Sequence, residues 1–311
     1  MLILARKTGH DDGFGSQFQR ILGIFCLAKE YNLQYLHVPL VDVGYQGLKA
    51  LEINKNSNSF VEECNKRIEF LKTGSAPKNI YVKIDIKWLN CEVFEEILKT
   101  YKNDEKNIIV YCEYVHQILD KSPEMYRHVK DLYKPQIKKN KIFTIGVHVR
   151  RGELYVVDSH RMLPNSYYIN IINKLIKLCK ARNLNFIIEL YTEVSEKETI
   201  ITGKHPGICN RINEDKIINA ENNKIEEFDC IPNLKKYINE KMFDTFDRMV
   251  NCDILITSRS SFSTVASYLK NGISIYHNFW HGMMKNDIEF SDPNFNLRVS
   301  KFLDRNPTIR T

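Results

Sequence analysis

Several common signatures are missing from this chain, and each absence removes a class of function. Its eight cysteines (Cys26, Cys64, Cys91, Cys112, Cys179, Cys209, Cys230, Cys252) never form a C-x-x-C pair, so paired-thiolate zinc sites are excluded and no metal site is expected. No apolar run reaches the ~20 residues that a helix needs to cross a bilayer. The opening Met-Leu-Ile-Leu-Ala-Arg-Lys becomes charged too early for a secretion signal. Most cysteines sit singly inside apolar patterns and read as reduced core residues, so a cytoplasmic setting is expected. There is no G-x-x-x-x-G-K-S/T loop and no G-x-S-x-G elbow, which removes the Walker-type phosphate cradle and the elbow-borne serine nucleophile. Basic residues are not banded. The net charge of +7 is spread along the chain, which suits an anionic substrate and gives no reason to expect nucleic acid as a partner.

What is present fits a globular chain of two domains. With 311 residues, 43% hydrophobic and 27% charged, it can bury a substantial core. Apolar periodicity predicts strand Leu2–Ala5, a helix carrying Phe18, Ile21, Leu22, Phe25, Leu27 and Ala28, and strand Leu33–Val38, which together make a βαβ unit. Helix over 58–72, strand Ile80–Ile86, helix Glu92–Tyr101, strand Ile108–Tyr111 and a basic amphipathic helix or helix pair over 122–139 follow. The pattern restarts near 140. Strand 142–149 leads to helix Ser166–Ala181, strand Asn185–Tyr191, a loop and short-strand region over 202–225, and a helix near 234–250. Strand Ile254–Thr257, a Ser-rich turn 258–263, helix 264–270 and strand Ile273–Tyr276 complete it. Two α/β domains, 1–140 and 141–311, are expected, with a cleft between them.

Ligands of open parallel sheets bind beyond the carboxyl ends of the strands. Three polar turns lie there. The first, Gly13-Phe-Gly-Ser-Gln17, opens a helix, where glycines let a ligand approach and free N–H groups suit an anion. The second is His148-Val-Arg-Arg-Gly-Glu153. At strand spacing His148 and Arg150 share a face, and two guanidinium forks beside an imidazole suit a diphosphate. The third, Ser258-Arg-Ser-Ser-Phe-Ser263, offers hydroxyls and N–H groups at a helix start. Each alone has an ordinary alternative: a glycine turn with Ser16 as N-cap, solvated arginines at a strand end, or a Ser-rich N-cap.

Taken in order, the three turns resemble motifs of the inverting fucosyltransferase superfamily, whose members include α-1,2-, α-1,6- and protein O-fucosyltransferases. His148-Val-Arg-Arg-Gly-Glu153 is similar to H-x-R-R-G-D, Gly13-Phe-Gly-Ser-Gln17 to G-x-G-N-Q, and Ser258–Ser263 to S-N-S-S-F-S. The likeness brackets roughly 8–270. It implies a GT-B-like fold of two Rossmann-like domains facing a central cleft. It also implies a glycosyltransferase that moves fucose from GDP-fucose to a glycan or other hydroxyl acceptor without a metal or other cofactor. The N-terminal domain would serve the acceptor and the C-terminal domain the nucleotide sugar. Carried over by position, Arg150 or Arg151 would hold the β-phosphate with His148 beside the nucleotide, and Ser260, Ser261 and Ser263 would bind phosphate. Gly13, Gly15 and Ser16 would face the donor, and Glu193 would lie near the base or ribose. The chain departs from the family at Glu153 for Asp, Ser16 for Asn, Arg259 for Asn, and Thr264-Val-Ala266 for W-W-G. A donor other than GDP-fucose, or a non-catalytic nucleotide- or glycan-binding protein, remains the alternative.

Transfer would need a cation for the leaving phosphate and a base for the acceptor hydroxyl. Arg150 and Arg151 supply the first, and Glu153 leads Asp11, Asp12 and Asp158 for the second. Loops 42–60 and 202–230 are candidates for the acceptor side; Tyr155, Tyr167, Trp280 and His281 could line it, with core packing the favoured alternative for most of them.

Overall fold

The computed structural model describes residues 1–8, 13–44, 57–73, 79, 82–195, 199–201, 216–218, 224–279 and 281–305. They form two compact units. One runs from the first strand to Tyr133 and includes a short return ending at Met284; the other runs from Lys134 to Phe279 and resumes at Lys285.

The first unit opens with strand β1 (Leu2–Arg6), helix α1 (Phe14–Glu30) and strand β2 (Gln34–Leu36). After α2 (Ser57–Ile68) come β3 (Val82–Trp88), α3 (Cys91–Tyr101), β4 (Ile108–Tyr114) and α4 (His116–Lys121). The sheet order is β2-β1-β4-β3, all parallel. Every residue of β1 is buried, as a central parallel strand covered on both faces should be. α1 is buried from Phe14 to Ala28 apart from Ser16, the expected apolar side (Phe18, Ile21, Leu22, Phe25, Leu27, Ala28) being joined by Ile24 and Cys26. Gly13, not Ser16, is the N-cap of α1, and no side chain caps it. Ser16 is the third residue of the helix, so the expectation of a serine cap is corrected.

The second unit holds β5 (Phe143–His148), a short helix α5 (Leu154–Val157), α6 (Asn165–Lys180) and β6 (Phe186–Thr192). The small antiparallel pair β7 (Thr199–Ile201) and β8 (Lys216–Ile218) follows. Strand β9 (Leu234–Ile238), α7 (Met242–Asn251), β10 (Ile254–Ile256), α8 (Ser261–Leu269), β11 (Ile273–Tyr276), β12 (Ile288–Glu289) and α9 (Phe295–Arg305) complete it. Its parallel sheet runs β12-β11-β10-β5-β6-β9. One face of β5 and β6 (Phe143, Ile145, Val147 with Phe186, Ile188, Leu190) packs on α6 through Tyr168, Ile171, Ile172 and Leu175. The expectation of an α/β chain is met, with a parallel sheet in each of the two units. None of the described helices is long and apolar enough to cross a membrane.

Two predicted helices are corrected. Residues 122–139 do not form one: a helix at His116–Lys121 is followed by a 3-10 turn, Pro123–Val129, and then by irregular chain. Pro123 and Pro135 remove backbone donors and bias the residues before them away from helix. The helix expected near 234–250 begins only at Met242, since 234–238 is strand β9 along the edge of the sheet. Leu234 and Ile238 fit both a four-residue and a two-residue repeat, and the left-handed residues Asn233 (φ 58°) and Asn239 (φ 55°) bound the strand. The described cysteines are all free, and Cys26, Cys64, Cys112, Cys179 and Cys252 are buried; Cys209 lies outside the described residues.

Candidate active site

The strand order of the second sheet marks where a ligand should sit. From β5 the chain winds to β6 and β9 on one side, then returns to place β10 and β11 on the other. The carboxyl ends of β5 and β10 therefore flank the topological switch point, where a crevice opens in folds of this kind. Those two ends carry the His148–Glu153 and Ser258–Ser263 turns. Spaced more than a hundred residues apart, the turns meet directly: His148 Nδ1 and Ser258 Oγ are 2.8 Å apart. Ser258 takes part through this bond, although the resemblance assigned a role only to Ser260, Ser261 and Ser263. His148 is buried, and its pKa is pushed down to about 3, first by burial and then by the charge of Arg150. The imidazole is thus neutral, with one nitrogen engaged by the serine. Phe262 lies edge-on to it at 5.9 Å.

Backbone bonds fix the turn. Val149 N–H donates to Tyr191 O (2.9 Å), and Thr192 Oγ1 donates to Val149 O (2.7 Å). Gly152 then takes φ 60°, a left-handed conformation that costs a side-chain-bearing residue more than glycine. This reversal brings Glu153 back against Arg150, and the two side chains are paired. Glu153 is 2% exposed, and its Oε2 has no hydrogen-bond partner. Its pKa is raised to about 7, chiefly by burial; Arg150 opposes the shift and the half-buried Glu193 reinforces it. Glu153 and Glu193 are thereby brought into one electrostatic neighbourhood.

The two arginines differ. Arg150 remains partly exposed, with a side chain 22% accessible. Arg151 turns inward: Nη1 donates to Arg150 O (2.8 Å), Nη2 to Asn165 Oδ1 at the start of α6, and its guanidinium lies 5.9 Å from the Tyr168 ring. Asn165 in turn donates to Lys224 O and Glu227, so Arg151 is part of a buried bracket.

In the third turn Ser260 is the N-cap of α8, its Oγ accepting from Phe262 N–H at 3.3 Å. Ser263 is fully buried, and its hydroxyl contacts Ser258 and Ser260 carbonyls within the turn. Ser261 is half-buried at the first position of the helix. Arg259 extends sideways, donating to His160 O (2.7 Å) and meeting the His277 ring at 3.3 Å, while Arg161 donates to Arg259 O (3.2 Å). Nothing in the motif signalled this second basic cluster, which depends on the segments after α5, β10 and β11 meeting.

Gly13, Gly15 and Ser16 belong to the first unit, where they begin α1 at the end of β1. Tyr167 packs against His277 and Phe290 in the second unit; Tyr155 is half-buried and Asp158 ends α5. His281 lies in the return segment of the first unit. Asp11, Asp12 and Trp280, and residues 45–56, 202–215 and 219–223 of the two proposed acceptor loops, lie outside the described residues.

The fold is therefore one of two parallel α/β units, the second with two polar turns meeting at its switch point. No family model matches the chain, and no curated protein matches it. Among solved structures it is similar to the E. coli heptosyltransferase WaaC with ADP, at 10% identity and TM-score 0.40 over 98% of this chain and 99% of that one. It is also similar to POFUT1 in complex with GDP, at 9% identity and TM-score 0.35 over 86% and 93% of the two chains. The Methanocaldococcus jannaschii UDP-GlcNAc 2-epimerase in complex with UDP-GlcNAc and UDP gives 10% identity and TM-score 0.28 over 97% and 68%.

Proposed function

We propose that this chain is a glycosyltransferase that binds a nucleotide diphosphate sugar at the switch point of its second unit and transfers the sugar, with inversion, to a hydroxyl acceptor. The observation that carries this reading is the junction of the two motif turns through His148 and Ser258, with the Arg150–Glu153 pair beside it. The motif resemblance makes GDP-fucose the donor and a glycan the first acceptor class to test.

In this reaction the acceptor oxygen attacks the anomeric carbon from the side opposite the diphosphate. The bond from that carbon to the β-phosphate oxygen breaks, leaving negative charge on the diphosphate. Arg150, the cation that stays partly exposed, meets that charge together with the N–H groups at the start of α8, so a metal is not required in this reading. The acceptor proton goes to Glu153 Oε2, which is unpartnered and whose pKa near 7 suits a general base. Neutral His148 positions Ser258 and the turn. Arg151 acts through its bracket on Asn165, holding the turn in shape.

A thermal-shift panel of GDP, UDP, dTDP, ADP and CMP tests the donor. Stabilisation by GDP above the others supports the fucosyl reading. Preference for UDP or dTDP overturns that donor while keeping the transferase, and no response to any nucleotide overturns the site. Losing one such phosphate contact should cost about 3 kcal/mol, roughly a hundredfold in rate. Arg150→Gln is accordingly expected to weaken GDP binding and lower turnover by about that factor.

A further inference from the structure

We propose that the first unit carries an anion-binding site of its own at the carboxyl end of β1, with Arg6 taking the charge of a phosphate or carboxylate group. This rests on the first unit alone and does not depend on the second-unit site above.

Arg6 is the last residue of β1 and is 1% exposed. β1 lies between β2 and β4, and the chain winds to β2 on one side and returns to β4 on the other. The carboxyl end of β1 is therefore the switch point of this sheet too. Alternation puts Arg6 on the same face as Leu2 and Leu4, opposite the Ile3, Ala5 and Ile109 cluster. Only one end of its guanidinium is used: Nη2 donates to Gln17 Oε1 at 2.6 Å, and Gln17 is itself held by Asp42 O at 2.8 Å. Nε and Nη1 are buried and have no hydrogen-bond partner.

No carboxylate among the described residues forms an ion pair with Arg6. Burial first, and then the charge of Arg20, lowers its pKa to about 10. Even so it stays protonated at neutral pH, so the charge cannot be relieved by losing a proton. A buried cation with unused donors is strongly unfavourable unless something meets it. The adjoining helix has the complementary deficit. α1 has 17 residues, begins at Gly13 without a side-chain cap and has no acidic residue in its first turn. Gln17, the partner of Arg6, sits within that turn, so the helix N-terminus and the guanidinium favour an anion in the same neighbourhood. A guanidinium fork donates in its plane to the oxygens of either a phosphate or a carboxylate.

The test is thermal unfolding of the full chain titrated with inorganic phosphate at constant ionic strength, in wild type, Arg6→Met, Arg6→Lys and Arg150→Gln. Wild type should be stabilised saturably. Arg150→Gln should keep that response, Arg6→Lys should show a weaker one, and Arg6→Met should raise the half-saturating concentration at least tenfold. Without phosphate, Arg6→Met should melt no lower than wild type, because a buried unpaired charge has been removed. A response lost in Arg150→Gln but kept in Arg6→Met overturns the proposal, as does an equal response in all four proteins. A lower melting point for Arg6→Met with no phosphate response in wild type overturns it in favour of a purely structural arginine. Repeating the titration in Arg150→Gln with glucuronate and with GDP assigns an Arg6-dependent response to a sugar carboxylate or a nucleotide phosphate; no Arg6-dependent response to any of the three anions overturns the site.

Discussion

Glu153 is the residue on which the proposed chemistry and the stability of the site bear most directly. Its carboxyl is raised from 4.5 to about 7 by burial, so between those values the native state binds a proton that the unfolded chain has already released. Its contribution to stability is fully present below pH 4.5 and is lost as pH rises through about 7. Denaturation measured from pH 4 to 8 should show this decline, and Glu153→Gln should flatten it. As a base it must be ionised, so transfer should rise with pH through the same interval, and Glu153→Gln should remove that limb and lower kcat on the order of a hundredfold or more. A variant that keeps a wild-type pH–rate profile would remove Glu153 from the chemistry. Arg151 makes the opposite prediction. Arg151→Ala leaves Asn165 Oδ1 and Arg150 O without their charged donor, and should cost about 1.5–3 kcal/mol in urea unfolding. These two roles were only half legible in the sequence. The Arg-Arg pair was visible, but alternation alone does not show which guanidinium folds inward; Asn165, fourteen residues on, decides it.

At the scale of elements, β5 depends on close approach to its neighbours. A Cβ on Gly146 would lie 2.9 Å from Cys252 Sγ and 3.1 Å from the Tyr191 ring, and both residues are buried. Gly146→Ala should therefore destabilise the second unit by about 1–3 kcal/mol, read as a lower urea midpoint with an unchanged slope. Long strands and helices such as α1, β5, α6 and β6 are readable from apolar periodicity because each is buried on at least one face along its length. β9 is not, for its residues alternate poorly and only pairing with β6 makes it a strand. The stretch after Lys121 fails for another reason: its charges look amphipathic, but its prolines forbid a continuous helix.

At the scale of the whole molecule, net charge and site charge act in the same direction. With +7 overall and cationic groups at both switch points, binding of the proposed anionic donor should weaken as NaCl rises from low to high concentration, measurable by titration calorimetry. Affinity unchanged across that range would argue against an electrostatic diphosphate site. Apolar periodicity and turn chemistry are local properties, so the amino-acid order was enough to read the α/β class and to pick out the turns that follow the strands of the second sheet. That β10 lies beside β5, so that Ser258 reaches His148, and that Arg6 ends β1 buried with two donors unused, emerges from the folded chain alone. Strand order and burial arise from contacts between residues far apart in the chain, and no local pattern encodes them.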